Sequence, residues 1–210
     1  MSSPRTAYLI DGSAYIHRAF HAIAGLANSR GMPTNAVFGF TRMLIKLMED
    51  RRPEYAAMVF DARGPTFRHH LYAGYKANRP PMPEELAVQI PLIQQVTAAY
   101  RLPVVELAGY EADDVIGTLA RRLAAEGFAV VMVTGDKDFI QLVGEQTSIW
   151  DPMKDAVTDL AAVRARGSAR RRRSISSAPT AAWRPSTRTW RPSRAPSCGR
   201  GSRRIASKPS

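Results

Sequence analysis

Short apolar runs alternate along the chain with longer stretches in which apolar residues recur every three or four positions. Ala7-Tyr8-Leu9-Ile10 is the first run, closed by the turn signal Asp11-Gly12-Ser13. Residues 14–24 follow with a helical pattern that carries Tyr15, His17, Arg18, Phe20 and His21. Residues 28–33 read as a loop. Thr34 or Asn35 is placed to cap a helix reaching about Glu49, with Val37, Phe40, Met43, Leu44 and Leu47 on its apolar side. Ala56 to Phe60 is a second strand, ending at Asp61. A helix is expected from Glu84 to Tyr100, a strand at Val104-Val105, and a helix from about Asp113 to Glu126. Ala129 to Val133 is a fourth strand, closed by Thr134-Gly135-Asp136-Lys137-Asp138, and Ser148 to Trp150 is a candidate fifth.

Strands alternating with helices predict an α/β domain with a mainly parallel central sheet. In such sheets, sites form beyond the carboxyl ends of the strands. Asp11, Asp61 and Asp136 each close a predicted strand and should share one edge. The stretch Gly109-Tyr110-Glu111-Ala112-Asp113-Asp114 follows another strand and can join them.

Glu111, Asp113 and Asp114 stand directly before a helical pattern, where acids suit the positive end of the helix dipole. Capping accounts for one or two of them. Three repel one another unless a cation lies between them. A lone Asp after a strand is usually a turn former or cap, and Asp136-Lys137-Asp138 alone reads as a solvated loop. Four separate clusters at strand ends make shared metal binding the more economical reading. The candidate ligands are Asp11, Asp61, Glu111, Asp113, Asp114, Asp136 and Asp138. Oxygen donors favour Mg²⁺ or Mn²⁺, and zinc is disfavoured because no Cys or clustered His accompanies the acids. Two such ions can activate water and stabilise the leaving oxygen of a phosphodiester.

Residues 63–83 differ in kind. Arg63, Arg68, His69, His70, Lys76 and Arg79 alternate with Phe67, Tyr72 and Tyr75, with no Asp or Glu. Basic groups pair with phosphates and rings stack on exposed bases. A charge run is usually a solvated face, but this one leaves the same sheet edge as Asp61. His69 and His70 read as exposed polar residues rather than ligands, and Met43, Met48 and Met58 as core filling.

Composition changes the picture only at the end of the chain. The formal charge of +12 is uneven: residues 161–210 hold 13 Arg and one Lys with no Asp or Glu, whereas residues 1–160 hold 16 basic and 18 acidic residues. The first 160 residues therefore read as a nearly neutral globular domain. No apolar run reaches the length of about 18 residues that marks a membrane helix, and no signal peptide is expected. Cys198 is the only cysteine, so an intrachain disulfide is excluded and an intracellular setting is expected.

These residues together resemble the 5′-nuclease family, in its bacterial DNA polymerase I branch related to flap endonucleases. The resemblance runs through Leu9-Ile10-Asp11-Gly12-Ser13, Ser29-Arg30-Gly31, Val37-Phe38-Gly39-Phe40, Val59-Phe60-Asp61 and Phe67-Arg68. It continues through Tyr75-Lys76-Ala77-Asn78-Arg79-Pro80-Pro81-Met82-Pro83, Gly109 to Asp114 and Thr134 to Asp138, and spans about residues 6–160. It implies a PIN-like, resolvase-like α/β fold with a helical arch. It implies metal-dependent 5′→3′ exonuclease and 5′-flap endonuclease activity on DNA with a single-stranded 5′ end, flap or nick, in a bacterial cytoplasm. The seven acids match the family's metal-site pattern. Lys76 and Arg79 match the catalytic basic residues of the arch, and Phe67, Arg68 and Tyr75 match residues near the single-stranded end. No membrane or small-molecule cofactor is implied.

Past residue 160 the family continues with a Gly-Asp-x-x-Asp-Asn motif and a helix-hairpin-helix module, and this sequence has neither. The second metal site is therefore expected to be incomplete. The alternative to an active nuclease is a truncated fragment that binds DNA or metal without cutting. A phosphoacceptor receiver domain also gathers Asp at strand ends, but needs fewer acids and no basic arch. A small PIN ribonuclease would lack the segment from Tyr75 to Pro83.

Residues 161–210 are expected to be a disordered Arg, Ser, Pro and Ala tail, read out of frame. These four types make up 37 of its 50 residues, a composition that cannot bury enough apolar surface to order itself. From Arg164 to Ser210, 44 of 47 residues have codons with G or C in the middle position. A shifted frame in a GC-rich gene produces that bias. A natural basic tail explains the arginines but not the loss of the other codons.

Overall fold

The computed structural model describes residues 5–165. The expected tail falls, from residue 166 onward, outside the described residues. Six strands form one sheet in the order β3-β2-β1-β4-β5-β6. They are β1 (Thr6–Asp11), β2 (Tyr55–Val59), β3 (Val104–Val105), β4 (Ala129–Val133), β5 (Thr147–Asp151) and β6 (Ala156–Thr158). The first five pair in parallel and β6 joins β5 antiparallel.

The central strands are apolar on both faces, as a sheet covered on both sides requires. In β1, Ile10 points into one cluster with Tyr15, Phe40, Leu44, Leu47 and Met58, while Leu9 points into another with Val59, Ile116, Leu123 and Met132. Helices α1 (Gly12–Ala22), α2 (Asn35–Asp50) and α5 (Ile90–Ala99) supply buried residues to the first face. Helix α6 (Ala112–Ala125) covers the second. Gly12 lets α1 start against the sheet, since a Cβ there would lie 2.3 Å from the Phe60 ring.

The single helix expected over residues 84–100 is two: α4 (Glu84–Ala87) and α5. Pro91, second in α5, has no N–H to give to the preceding turn. The fully buried Gln89 sits at the break and turns inward. Its Oε1 accepts from the N–H groups of Ala36 and Val37 at 2.8 and 3.1 Å, capping α2 from across the fold. Its Nε2 donates to Asn35 Oδ1 at 2.8 Å, so this buried polar group is satisfied.

Residues 63–83 are also less helical than expected. Only α3 (Phe67–Leu71) is regular there, and residues 72–79 run in turns, with Lys76 at φ 53°. Pro80, Pro81 and Pro83 prevent a helix from continuing. At the far end, β6 and α7 (Leu160–Ala165) were not expected, and α7 runs to the last described residue. Among the described residues no helix is long and apolar enough to cross a membrane.

Candidate active site

Beyond β1 the sheet is built outward in both directions, to β2 on one side and β4 on the other. Such a switch point opens a crevice at the carboxyl ends of the strands. Asp11 is the last residue of β1 and lies in it. Asp61 follows β2, and Asp136 follows β4 at the start of a short 3-10 helix, Lys137–Leu142.

Asp11 is 5% exposed. Its Oδ1 accepts from the Ala14 N–H at 3.0 Å, capping α1, and its Oδ2 accepts from the Thr134 hydroxyl at 2.9 Å. Burial pushes its carboxyl up to about 6; those two hydrogen bonds oppose the rise, and the charges of Asp61 and Asp136 add to it. Asp61 is exposed, with its N–H on Ser13 Oγ at 2.8 Å and its Oδ1 accepting from the Ala112 N–H at 2.7 Å. That last bond ties β2 to the first turn of α6. Asp136 Oδ1 accepts from the Asp138 N–H at 2.9 Å, and both residues are exposed.

The second acidic group starts α6. Glu111 is the N-cap, and its N–H donates to Asp114 Oδ2 at 3.2 Å. Here the basic segment folds down onto the acids. Arg68 donates to both carboxylate oxygens of Asp114, at 2.5 and 2.7 Å, and lies 3.5 Å from Glu111. Lys76 Nζ donates to Glu111 Oε1 at 2.7 Å and the Tyr75 hydroxyl donates to Oε2 at 2.9 Å. Burial alone would raise the Glu111 carboxyl; the bonds from Lys76 and Tyr75, with the charges of Lys76 and Arg68, outweigh it and hold Glu111 below the usual range. Asp113 is exposed overall, yet lost hydration and then the Asp114 charge push its carboxyl up.

Phe67 packs its ring against Tyr110 at 5.5 Å, and its N–H donates to the Gly109 carbonyl at 2.8 Å. The Arg68 guanidinium lies 4.7 Å from the Phe67 ring centroid. Arg79 is exposed and near His17, whose pKa is lowered by burial first and by Arg79 second. His69 is exposed and turns its ring to the backbone of Thr66, in keeping with a polar role.

The acids thus line one edge in two groups. Among the described residues, no three His, Cys, Asp or Glu side chains close around one point to hold an ion. Arg68, Tyr75 and Lys76 occupy the carboxylate oxygens of Glu111 and Asp114, and Asp61 is turned to the Ala112 N–H. Ser13 and Thr134 were not expected at the site, although they lie in the motifs Asp11-Gly12-Ser13 and Thr134-Gly135-Asp136. A hydroxyl beside an acid at a strand end was the available signal.

A mainly parallel α/β sheet with acids from several strands on its carboxyl edge, crossed by a basic and aromatic segment, defines a resolvase-like class of domain. The chain belongs to the family described as 5′-3′ exonuclease, N-terminal resolvase-like domain, whose model matches residues 6–167. It is 46% identical over 153 residues to the 5′-3′ exonuclease of Aquifex aeolicus (strain VF5), covering 73% of this chain and 53% of that protein. It is 47% identical over 156 residues to the DNA polymerase I of Pseudomonas aeruginosa, covering 74% of this chain and 17% of that protein. The chain thus spans about half of the first relative and a smaller part of the second. A structure of bacteriophage T5 5′-exonuclease with bound zinc ions shares the fold, with a TM-score of 0.55 at 18% identity over 74% of this chain and 58% of that one. So does the T5 flap endonuclease in a complex with DNA and metal ions, with a TM-score of 0.55 at 17% identity over 77% of this chain and 60% of that one.

Proposed function

We propose that this chain carries the carboxylate edge and basic arch of a metal-dependent 5′→3′ exonuclease and 5′-flap endonuclease, acting on DNA in replication and repair in a bacterial cytoplasm. Its substrate is DNA with a single-stranded 5′ end, a flap or a nick. The observation that carries this reading is the meeting of two unlike sets at one sheet edge. Carboxylates gather at the strand ends and at the start of α6, and Arg68, Tyr75 and Lys76 reach down to the α6 group, Glu111 and Asp114, from the segment above.

The donor set fits a hard divalent ion. Every candidate ligand is an oxygen, and Asp11 is raised to about 6 by burial, with like charges adding to it. A carboxylate so short of positive charge suits Mg²⁺ or Mn²⁺. Asp11, Asp61, Asp136 and Asp138 would hold an ion on the strand side. Glu111, Asp113 and Asp114 would hold one at the start of α6, a second site left incomplete without further acids. Bound ions of this kind make water a stronger nucleophile and stabilise the leaving oxygen.

The chain's own residues supply the rest. Lys76 and Arg79 pair with the oxygens of the scissile phosphate, as point charge and fork respectively. Lys76 leaves Glu111 to do so. Phe67 and Tyr75 offer rings to unpaired bases of the 5′ strand, and Arg68 offers its guanidinium to the adjacent backbone. Asp11, anchored by Ala14 and Thr134, stays fixed while the segment above it moves.

A 5′-labelled flap DNA tests this. Mn²⁺ should give a released 5′ product that EDTA abolishes, with an RNA analogue left intact. Lys76→Ala and Arg79→Ala should lower cleavage more than duplex binding. Cleavage that persists in EDTA, or equal cleavage by both variants and wild type, would contradict the reading. Binding of Mn²⁺ and DNA with no product would favour the non-catalytic fragment. As to the gene, the out-of-frame reading of residues 164–210 is tested by its nucleotide sequence. A shifted frame should encode Gly-Asp-x-x-Asp-Asn shortly downstream, and its absence from every frame would reject the idea.

A further inference from the structure

Arg18, Gly135 and Asp151 lie behind the acid edge and take no part in the chemistry above. Asp151 ends β5 and is 7% exposed. Arg18, on α1, reaches it across 133 positions of sequence, and its Nη1 donates to both carboxylate oxygens at 3.1 Å. The Met153 N–H donates to Asp151 Oδ1 as well, at 3.1 Å. On its way the guanidinium fills the space beside Gly135 that a side chain would enter. A Cβ on that residue would sit 1.5 Å from Nη1 and 2.5 Å from Cζ. Gly135 is not among the residues with positive φ, so a side chain there would act by displacing the far end of Arg18 rather than by straining the backbone.

Gly135 joins two residues of the acid edge. Thr134, 1% exposed, donates its hydroxyl to Asp11 and accepts from the Asp136 N–H at 3.2 Å. Its own N–H donates to the Trp150 carbonyl at 3.2 Å, one residue before Asp151. Tyr15 buries its hydroxyl in this region without a hydrogen bond, and the Arg18 guanidinium lies 5.7 Å from its ring centroid. One path from Arg18 thus runs through Asp151 and the neighbouring Trp150 carbonyl to Thr134, and from the Thr134 hydroxyl to Asp11 and the Asp136 N–H.

We propose that the Arg18–Asp151 pair is a strut that clamps Gly135 and so fixes Asp136 against Asp11, making Arg18, Gly135 and Asp151 positioning residues for divalent-cation binding. The proposal rests on the metal reading of the acid edge. A pair that only fastened α1 to β5 would support stability alone. A strut sets the spacing of two ligands, and partners that orient metal ligands typically change affinity by about 10–100-fold.

Calorimetric titration of the full chain with Mn²⁺, paired with melting curves in metal-free buffer, separates the two roles. Arg18→Met leaves Asp151 buried and unpaired, so Arg18→Met with Asp151→Asn is the main variant, because it removes both charges together. It should melt near wild type and bind Mn²⁺ about tenfold more weakly. Gly135→Ala should weaken Mn²⁺ to a similar degree when Arg18 is present. In an Arg18→Ala background the same change should add little, since the colliding group is gone. Wild-type affinity in the folded double variant, or an equal Gly135→Ala effect in both backgrounds, would overturn the strut while leaving the metal reading standing. A wild-type chain that binds no Mn²⁺ would overturn both.

Discussion

At the strand side of the acid edge, Asp11 accepts hydrogen bonds from two neutral donors, the Ala14 N–H and the Thr134 hydroxyl. At the α6 side, Glu111 and Asp114 accept from Lys76, Arg68 and the Tyr75 hydroxyl. The electrostatic consequences are opposite: burial raises Asp11 to about 6, while Glu111 is held low because its partners outweigh its burial. Hydrogen bonds from neutral groups orient a buried carboxylate without removing the cost of its charge. Cationic partners remove that cost, but they also occupy the oxygens that an ion or a phosphate would need. The strand side is thus anchored by neutral donors and short of positive charge, whereas the α6 side is neutralised by the segment that covers it.

The pH dependence separates the two sides. An Asp with a folded pKa near 6 and an unfolded value near 3.9 takes up a proton on folding between those values. Its contribution is most favourable below about pH 4, falls as pH rises to about 6, and stays low at neutral pH. Glu111 works the other way: its stabilisation is present above the unfolded pKa and is lost as pH falls through the depressed folded value.

The largest effect is therefore expected at Asp11. In metal-free urea melts at pH 7, Asp11→Asn should be more stable than wild type by up to about 3 kcal/mol, and the advantage should vanish near pH 4. An advantage independent of pH would mean that the charge of Asp11 is not the cause. Arg68→Ala should act in the opposite direction. It strips a half-buried carboxylate of its bidentate partner and should lower metal-free stability by about 1–3 kcal/mol. Saturating Mn²⁺ should recover part of that loss, and a deficit unchanged by Mn²⁺ would separate Arg68 from the metal account. The smallest effect is expected at Lys76, whose side chain is 36% exposed. Lys76→Ala should cost under about 1 kcal/mol and tighten Mn²⁺ binding a few-fold by freeing Glu111. Weaker Mn²⁺ binding in that variant would contradict the competition between Lys76 and the ion.

Sequence pattern made the strand side legible and the α6 side only partly so. Strands that are apolar on both faces and lead into an Asp announce themselves locally, which placed Asp11, Asp61 and Asp136 at the ends of neighbouring parallel strands. The position of Lys76 depends on a turn with positive φ and on an acid 35 residues away, and no local periodicity encodes that. The break at Gln89 was missed for the same reason: a glutamine on a helical pattern reads as surface, yet here it caps α2 from a distance. The antiparallel β6 is three residues long and half exposed, too short for an alternation to register.

On the proposed function, the two acidic groups, though neutralised so differently, together make one divalent-cation site region. Calorimetry with Mn²⁺ on wild type and on Asp113→Asn with Asp136→Asn, which takes one carboxylate from each group, tests it most directly. Wild type should bind Mn²⁺, and the double variant, folded by its melting curve, should not. Equal Mn²⁺ binding by both would rule out a site shared between the two groups.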